Sequence, residues 1–416
     1  MQPCNKLFQP RAIQHHSLLS LFPFVFLTVI FQVSIFACAQ PQPITLTSPL
    51  DYQVFQRLTR DRGFILIRGH LSTHSDKLEA RVLQTADTVA KPLGSLSTKW
   101  HTIAVGKSTG DFSTAIPTSP GGFYSVELRS IQSHSIVAQY VVRHVGVGEV
   151  FVISGQSNST NYGEVLQTTQ THMVTTFSGN NWRVADDPQP GTQDNSQKGS
   201  FAPSFGDAMF QHYHVPIAVA SVGHGSTSVR QWLPAGDNVE VMPTMTRYVT
   251  RNPDGSITST GTLFNGMINR IHQLEASAPP GGHGFRAILW HQGESDSHQA
   301  TAHQITADTY RRMLERVILS TRAAIGWPIP FFIAQATYHT PSDTSTPPIR
   351  EAQKSLWQDG IGLQGPDTDT LGPAYRQNNG TGTHLNDAGL KLHGQLWAQA
   401  VESWLDNSSS LSRFEK

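Results

Sequence analysis

From Pro41 to Val147 the chain alternates short β-rich runs with turn residues: "GFILIRGHL", "KLEARVLQT", "HTIAVG", "DFSTAIP", "GFYSVELRSI" and "IVAQYVVRHV". Six or seven such runs in about a hundred residues predict a small Ig-like β-sandwich over 41–147. After "VGVG" the periodicity changes. The runs "EVFVISG", "VPIAVASVG", "FRAILWHQG" and "IPFFIAQAT" read as buried strands and alternate with helical patterns. In "ADTYRRMLERVILSTRAAIG", Tyr310, Met313, Leu314, Val317 and Ile318 share one face. The closing pattern "NDAGLKLHGQLWAQAVESWL" repeats this with Leu390, Trp397, Val401 and Trp404, with Asn386 as N-cap. Strands alternating with helices over 148–406 predict an α/β domain with a parallel sheet covered on both faces. Two long polar segments, 161–203 and 233–260, follow strand ends and are expected to wall a site. The tail from 407 to 416 is expected to fray.

The first 39 residues break the pattern. Lys6 and Arg11 precede "LLSLFPFVFLTVIFQVSIF", and "ACAQ" follows, which is the order of a secretory signal cut before Gln40. An uncleaved anchor is the competing reading. Ile35-Phe36-Ala37-Cys38 gives a third, a lipoprotein anchored through Cys38. Cleavage predicts a secreted or periplasmic chain without a transmembrane segment. Both cysteines, Cys4 and Cys38, lie in this leader, so the cut chain has no disulfide.

Thirty basic residues balance thirty acidic ones, which gives no electrostatic footprint for nucleic acid. Oligomeric state is open. His298 with His303, or His212 with His214, has no third ligand or motif beside it, and all four are expected to be surface histidines.

In an open α/β sheet ligands bind beyond the carboxyl ends of the strands, and "GQSNS" begins at such an end. Ser157 there is a candidate nucleophile, because unpaired backbone N–H groups favour developing negative charge. His384 in "GTHLNDAG" is the candidate base, with His224 as rival. An oxyanion needs fixed donors, and Gly225 and Gln292 follow the next two strands.

Together "GQSNS", "GHGSTSVRQW", "FRAILWHQGESDS" and "GTHLNDAGLKLHGQLW" resemble the SGNH-hydrolase superfamily, in its sialate O-acetylesterase and carbohydrate-esterase branch, over about residues 147–405. The resemblance implies a flavodoxin-like three-layer α/β/α domain and an exported serine esterase that removes O-acetyl groups from sugars through an acyl-enzyme. It implies no cofactor and no metal. It assigns Ser157 as nucleophile, His384 as base, and Gly225 and Gln292 as oxyanion donors. The family's aspartate three residues before the histidine is replaced by Thr381. Glu294 is the candidate acid in its stead, and the alternative is a buried glutamate that pins its loop. Asn158, Trp182 and Trp232 are candidate substrate contacts. A glycan-binding protein that has lost turnover is the alternative function.

Overall fold

The computed structural model describes residues 43–85, 89–106 and 109–407. The leader, both cysteines and the tail from 408 lie outside the described residues. Among the described residues no helix is long and apolar enough to cross a membrane.

The first strands are β1 (Ile44–Ser48), β2 (Val54–Gln56), β3 (Gly63–Leu71), β4 (Lys77–Gln84), β5 (His101–Val105), β6 (Gly110–Thr118), β7 (Gly121–Gln132) and β8 (Ser135–Gly155). Strands β1, β3 and β6 form one antiparallel sheet, and β5, β4, β7 and the first part of β8 a second. Ile65, Ile67, Leu78, Val82, Val126 and Val145 fill the space between them. Alternation along each strand sends one set of side chains inward, as two facing sheets require. This is the expected β-sandwich.

Strand β8 is 21 residues long. Its partners change near the expected boundary at 147/148: up to Val147 it pairs with β7, and from Glu149 it is the central strand of the second region. The burial pattern changes with the partners. Residues 135–144 are mostly open to solvent on one face, whereas Val145–Gly155 are buried throughout.

The second region continues with β9 (Val174–Phe177), β10 (Trp182–Val184), α1 (Ala202–Tyr213), β11 (Ile217–Ser221), β12 (Val249–Arg251), β13 (Ile257–Ser259), α2 (Thr262–Glu275), β14 (Ala287–His291), α3 (Glu294–Ser297), α4 (Ala307–Ile325), β15 (Phe331–Gln335), α5 (Pro347–Gln358), β16 (Leu363–Asp367) and α6 (Asp387–Asn407). The sheet runs β10-β9-β11-β8-β14-β15-β16, parallel throughout except for the β9–β10 edge. Without that edge it has the flavodoxin-like order 2-1-3-4-5, whose switch point lies at the carboxyl end of β8. Helices α1 and α6 pack together, and α4 packs on α2 and α5. The apolar positions read on α4 are all buried, and the Asn386 side chain caps α6 by accepting from Gly389 N–H at 2.9 Å. Strand β9 makes part of the 161–203 segment a sheet edge rather than a wall. Its "VTTF" is too short and too polar to announce a strand.

Glu149 lies where the two regions meet. It is wholly buried and accepts from Arg57 at 2.7 Å, Arg286 at 2.8 Å and Gln56 at 2.8 Å. Burial pushes its carboxyl pKa up, but the Arg286 and Arg57 charges outweigh this and hold it down to about 2.

Candidate active site

At the end of β8 the chain must turn while touching β14. Gly155 makes this possible: its φ is 127°, and a Cβ would meet the His291 carbonyl oxygen at 2.0 Å. The next residues leave the sheet in a single 3₁₀ turn, Ser157–Ser159, at the switch point. Ser157, Gln156, Ser226, Thr244, Met245, Glu294 and His384 line one open cleft of about 450 Å³. That volume is in the range of small-molecule sites. Thr244 and Met245 come from the 233–260 segment, which therefore walls the cleft, while the 161–203 segment contributes none of the lining residues.

His384 stands on the loop before α6 with its ring against Tyr162, the centroids 5.0 Å apart. Burial lowers its pKa from the ordinary histidine value, the nearby Glu294 charge works in the opposite sense, and Lys198 and Arg376 add to the lowering. Its Nδ1 is 3.0 Å from the side-chain amide nitrogen of Gln377. Gln377 N–H also donates to the His384 carbonyl at 2.9 Å, and Gly382 N–H donates to the Gln377 carbonyl at 3.0 Å. The 377–384 loop is thus clasped at its ends, with the two side chains side by side. Sequence reading missed Gln377, which lies seven positions before the histidine and meets it only because the loop closes.

Glu294 lines the cleft without a hydrogen bond to His384, and its buried Oε2 has no partner among the described residues. Its Oε1 accepts from Asn158 Nδ2 at 2.9 Å and lies 3.0 Å from His291 Nε2. Burial raises its pKa, but the His291 charge and the bonds from His291 and Asn158 prevail and leave it lowered. Trp397 Nε1–H donates to His393 Nε2 at 3.0 Å, and His291 Nδ1 lies 3.2 Å from that same nitrogen. His291 thus bridges Glu294 and His393, with the His393 Nε2 lone pair taken by Trp397. Asn158 is held by Glu294 beside Ser157.

The two expected oxyanion donors are committed elsewhere, which corrects their assignment. The Gly225 N–H donates to Asp194 Oδ2 at 2.6 Å. Gln292 is fully buried: its Nε2 donates to Asp296 at 2.7 Å and to the Thr227 carbonyl at 3.1 Å, and its Oε1 accepts from Tyr310 at 3.1 Å. Asp296 also accepts from Ser228 Oγ at 2.5 Å and Val229 N–H at 2.8 Å. Gln292 and Asp296 thus latch the "QGESDS" and "GHGSTSVRQW" turns together.

Other donors face the cleft. Among the described residues, neither Ser157 N–H nor Ser226 N–H has an acceptor in the chain. Gln156 is only 3% exposed, and its Oε1 accepts from Ser295 N–H at 3.0 Å, Gln292 Nε2 at 3.3 Å and Gly293 N–H at 3.4 Å. The Ser295 and Gly293 N–H groups on this oxygen, with Gln292 Nε2 beside it, hold the amide and leave its NH₂ as the free end. The residue pairing in "GQS" was the available signal for Gln156, and its meaning depended on the donors brought by β14 and α3.

The tryptophans need the second correction. Trp232 is fully buried, donates from Nε1 to Thr227 Oγ1 at 2.9 Å and packs edge-on against Trp290. It is core because Ser228 caps a short 3₁₀ turn, Val229–Trp232, that drives the ring inward. Trp182 is on the edge strand β10, stacked on Phe177 at 4.7 Å, and does not line the cleft. The rival base His224 is buried, with Nδ1 at the Gly225 carbonyl and Nε2 at Tyr248 Oη, 2.9 Å each. His303 Nδ1 donates to the Met242 carbonyl at 2.7 Å, and His212 pairs with Asp406.

Sheet order, switch point and the serine and histidine on one cleft are those of a carboxylic ester hydrolase with an SGNH-type fold. The family model described as carbohydrate esterase, sialic acid-specific acetylesterase matches residues 147–403, and the chain belongs to that family. The fold is similar to that of a carbohydrate acetylesterase from Xanthomonas citri, at 18% identity and a TM-score of 0.52, over 88% of this chain and 76% of that one. A protein from Arabidopsis thaliana is 19% identical with a TM-score of 0.43, over 62% of this chain and 98% of that one. No curated protein sequence matches the chain.

Proposed function

We propose that this protein is an exported serine esterase that removes acetyl groups from sugar hydroxyls. The observation that carries the reading is the shared cleft of Ser157 and His384 at the switch point of the sheet. Ser157 Oγ attacks the acetyl carbonyl carbon while His384 Nε2 takes its proton. The carbonyl oxygen becomes an oxyanion, met by Ser157 N–H, Ser226 N–H and the Gln156 amide. His384 then returns the proton to the sugar oxygen, the ester bond breaks, and acetyl-Ser157 remains. Water attacks this ester with His384 again as base, and acetate leaves with Ser157 restored.

For Nε2 to accept a proton, the hydrogen of neutral His384 must sit on Nδ1. With Nε2 toward the ring the Gln377 amide donates to Nδ1 and leaves the hydrogen on His384 Nε2, whereas the amide turned over presents Oε1, accepts the Nδ1 hydrogen and selects the working tautomer. Glu294 acts one step away, by holding Asn158 and by its charge on His384. The sandwich over 41–147 serves as a brace that continues into the nucleophile strand, and the leader directs export.

The cleft offers alcohol and amide donors, with Met245 its one apolar side chain of size, which suits acetylated sugars better than long acyl chains. The purified protein is expected to release acetate from acetylated sugars, to prefer acetyl over butyryl esters, and to lose this activity in Ser157→Ala with the fold intact. A serine-directed phosphonate should label Ser157 alone. Full activity in the alanine variant, or faster cleavage of long-chain esters, overturns the reading.

A further inference from the structure

We infer that His298, His339 and Asp343 form a divalent-metal site of zinc type on the wall of this cleft. The inference stands on geometry independent of the proposed hydrolysis.

His298 follows α3, and its Nε2 lies 2.8 Å from the Thr337 carbonyl oxygen. A carbonyl only accepts, so the ring hydrogen is on Nε2 and the Nδ1 lone pair points outward. That nitrogen faces Asp343 Oδ2 at 2.9 Å. Two lone-pair atoms at this distance need either a hydrogen or a metal ion between them.

His339 favours the ion. Its ring is stacked on His298 with centroids 4.2 Å apart and planes 22° apart. One donor atom from each of His298, His339 and Asp343 lies within 4.8 Å of the other two. A hydrogen between His298 Nδ1 and Asp343 would serve that pair alone and leave the third donor atom, from His339, unused. A metal ion instead takes lone pairs from both rings and the carboxylate. Tetrahedral zinc with bonds of about 2.0–2.2 Å needs donors about 3.3 Å apart, which small side-chain rotations reach from here.

The supports are built as metal sites build them. A backbone carbonyl on the far nitrogen of a ligating histidine fixes its tautomer and orientation. The Thr337 that supplies it is held by Asp369, which accepts from Thr337 N–H at 2.7 Å and from its hydroxyl at 2.6 Å. His339 and Asp343 are brought together by a tight turn in which His339 N–H donates to the Asp343 carbonyl at 3.0 Å and Asp343 N–H to the Thr340 carbonyl at 2.9 Å. Three protein ligands leave a fourth position for water or an oxygen of a bound sugar. His298 and His339 line the same cleft as Ser157, and Thr383, next to His384, donates from its hydroxyl to the His339 carbonyl at 2.9 Å. The ion therefore ties the 337–343 turn to α3 at the mouth of the cleft and takes no part in acyl transfer.

The full chain, stripped with a chelator, is titrated with Zn²⁺ by calorimetry, and with Co²⁺ by visible absorption to report a four-coordinate site. One equivalent is expected to bind, with affinity weakened at least tenfold in His298→Ala and in Asp343→Asn, and unchanged in His212→Ala, which tests a separate histidine–carboxylate pair. Thermal unfolding of each variant without metal checks that it folds. Zinc should raise Tm of the parent chain but not of His298→Ala. Absence of one-to-one binding, or equal affinity in a folded His298→Ala/His339→Ala variant, overturns the site. Proton spectra with both ring hydrogens on His298 in the presence of excess zinc do the same.

Discussion

The Gln377 side-chain amide lies 3.0 Å from Nδ1 of His384, where a hydrolase of this kind would hold a carboxylate. A neutral partner fixes the tautomer but stabilises the imidazolium less than a negative charge does. Gln377→Ala should lower kcat about tenfold, the worth of one neutral hydrogen bond of about 1.4 kcal/mol. Gln377→Glu should move the acidic limb of the kcat/KM profile to higher pH, because a carboxylate favours the charged ring. A merely structural Gln377 would alter stability and leave the limb in place.

The parent enzyme's own pH profile has a definite sign. Burial lowers the His384 pKa, and the base works only when neutral. The acidic limb should therefore fall below the ordinary histidine value of about 6.5, with activity retained at mildly acidic pH. Glu294→Gln removes the charge that opposes the lowering, so the limb should move lower still. Profiles of kcat/KM from pH 4 to 8 check both, and a limb above the ordinary value contradicts the assignment.

Gln156 separates donation from packing. In Gln156→Glu the acceptor of the Ser295 and Gly293 N–H groups remains while the donor toward the cleft is lost. The expected result is a fall in kcat of about 10²- to 10³-fold, the usual cost of one oxyanion donor, with little change in KM. Gln292→Glu is the contrast. There the loss falls on the latch to Asp296, two carboxylates are opposed, and a drop in Tm should precede any specific loss of turnover.

Trp232→Ala should cost about 3–5 kcal/mol of stability, as for other buried large side chains, and leave sugar preference unchanged. Trp182→Ala should also spare the ratio of kcat/KM for an acetylated sugar to that for an aryl acetate. Denaturant melts and paired kinetics test the two. A selective loss on sugars in Trp182→Ala would place β10 at the substrate.

The sequence made the layers legible because they follow from period and burial. The β-rich runs fold as β3 to β7, and the apolar faces read on α4 and α6 pack inward. Ser157 and His384 were legible because glycine-marked turns at strand and helix ends carry them. What could not be read was which donors stay free. Gly225 and Gln292 stand in the expected turns, yet Asp194 from a distant segment and Asp296 from Gln292's own turn take their hydrogens. Strand β9, paired with β10 on one side and β11 on the other, was hidden by threonines, which a polar loop also contains.

The 21-residue β8 has a consequence for what can be separated. One backbone is at once the edge of a sandwich sheet and the spine that ends beside Ser157, so the amino-terminal region is not a detachable accessory. A chain begun at Gly148 would strip Glu149 of Arg57 and Gln56, leave a buried carboxylate with one partner, and uncover the opening of its central strand. Such a fragment should be insoluble rather than a slower enzyme. The sandwich and the catalytic sheet then stand or fall together, and sugar choice can be altered through the loops around the cleft without disturbing either.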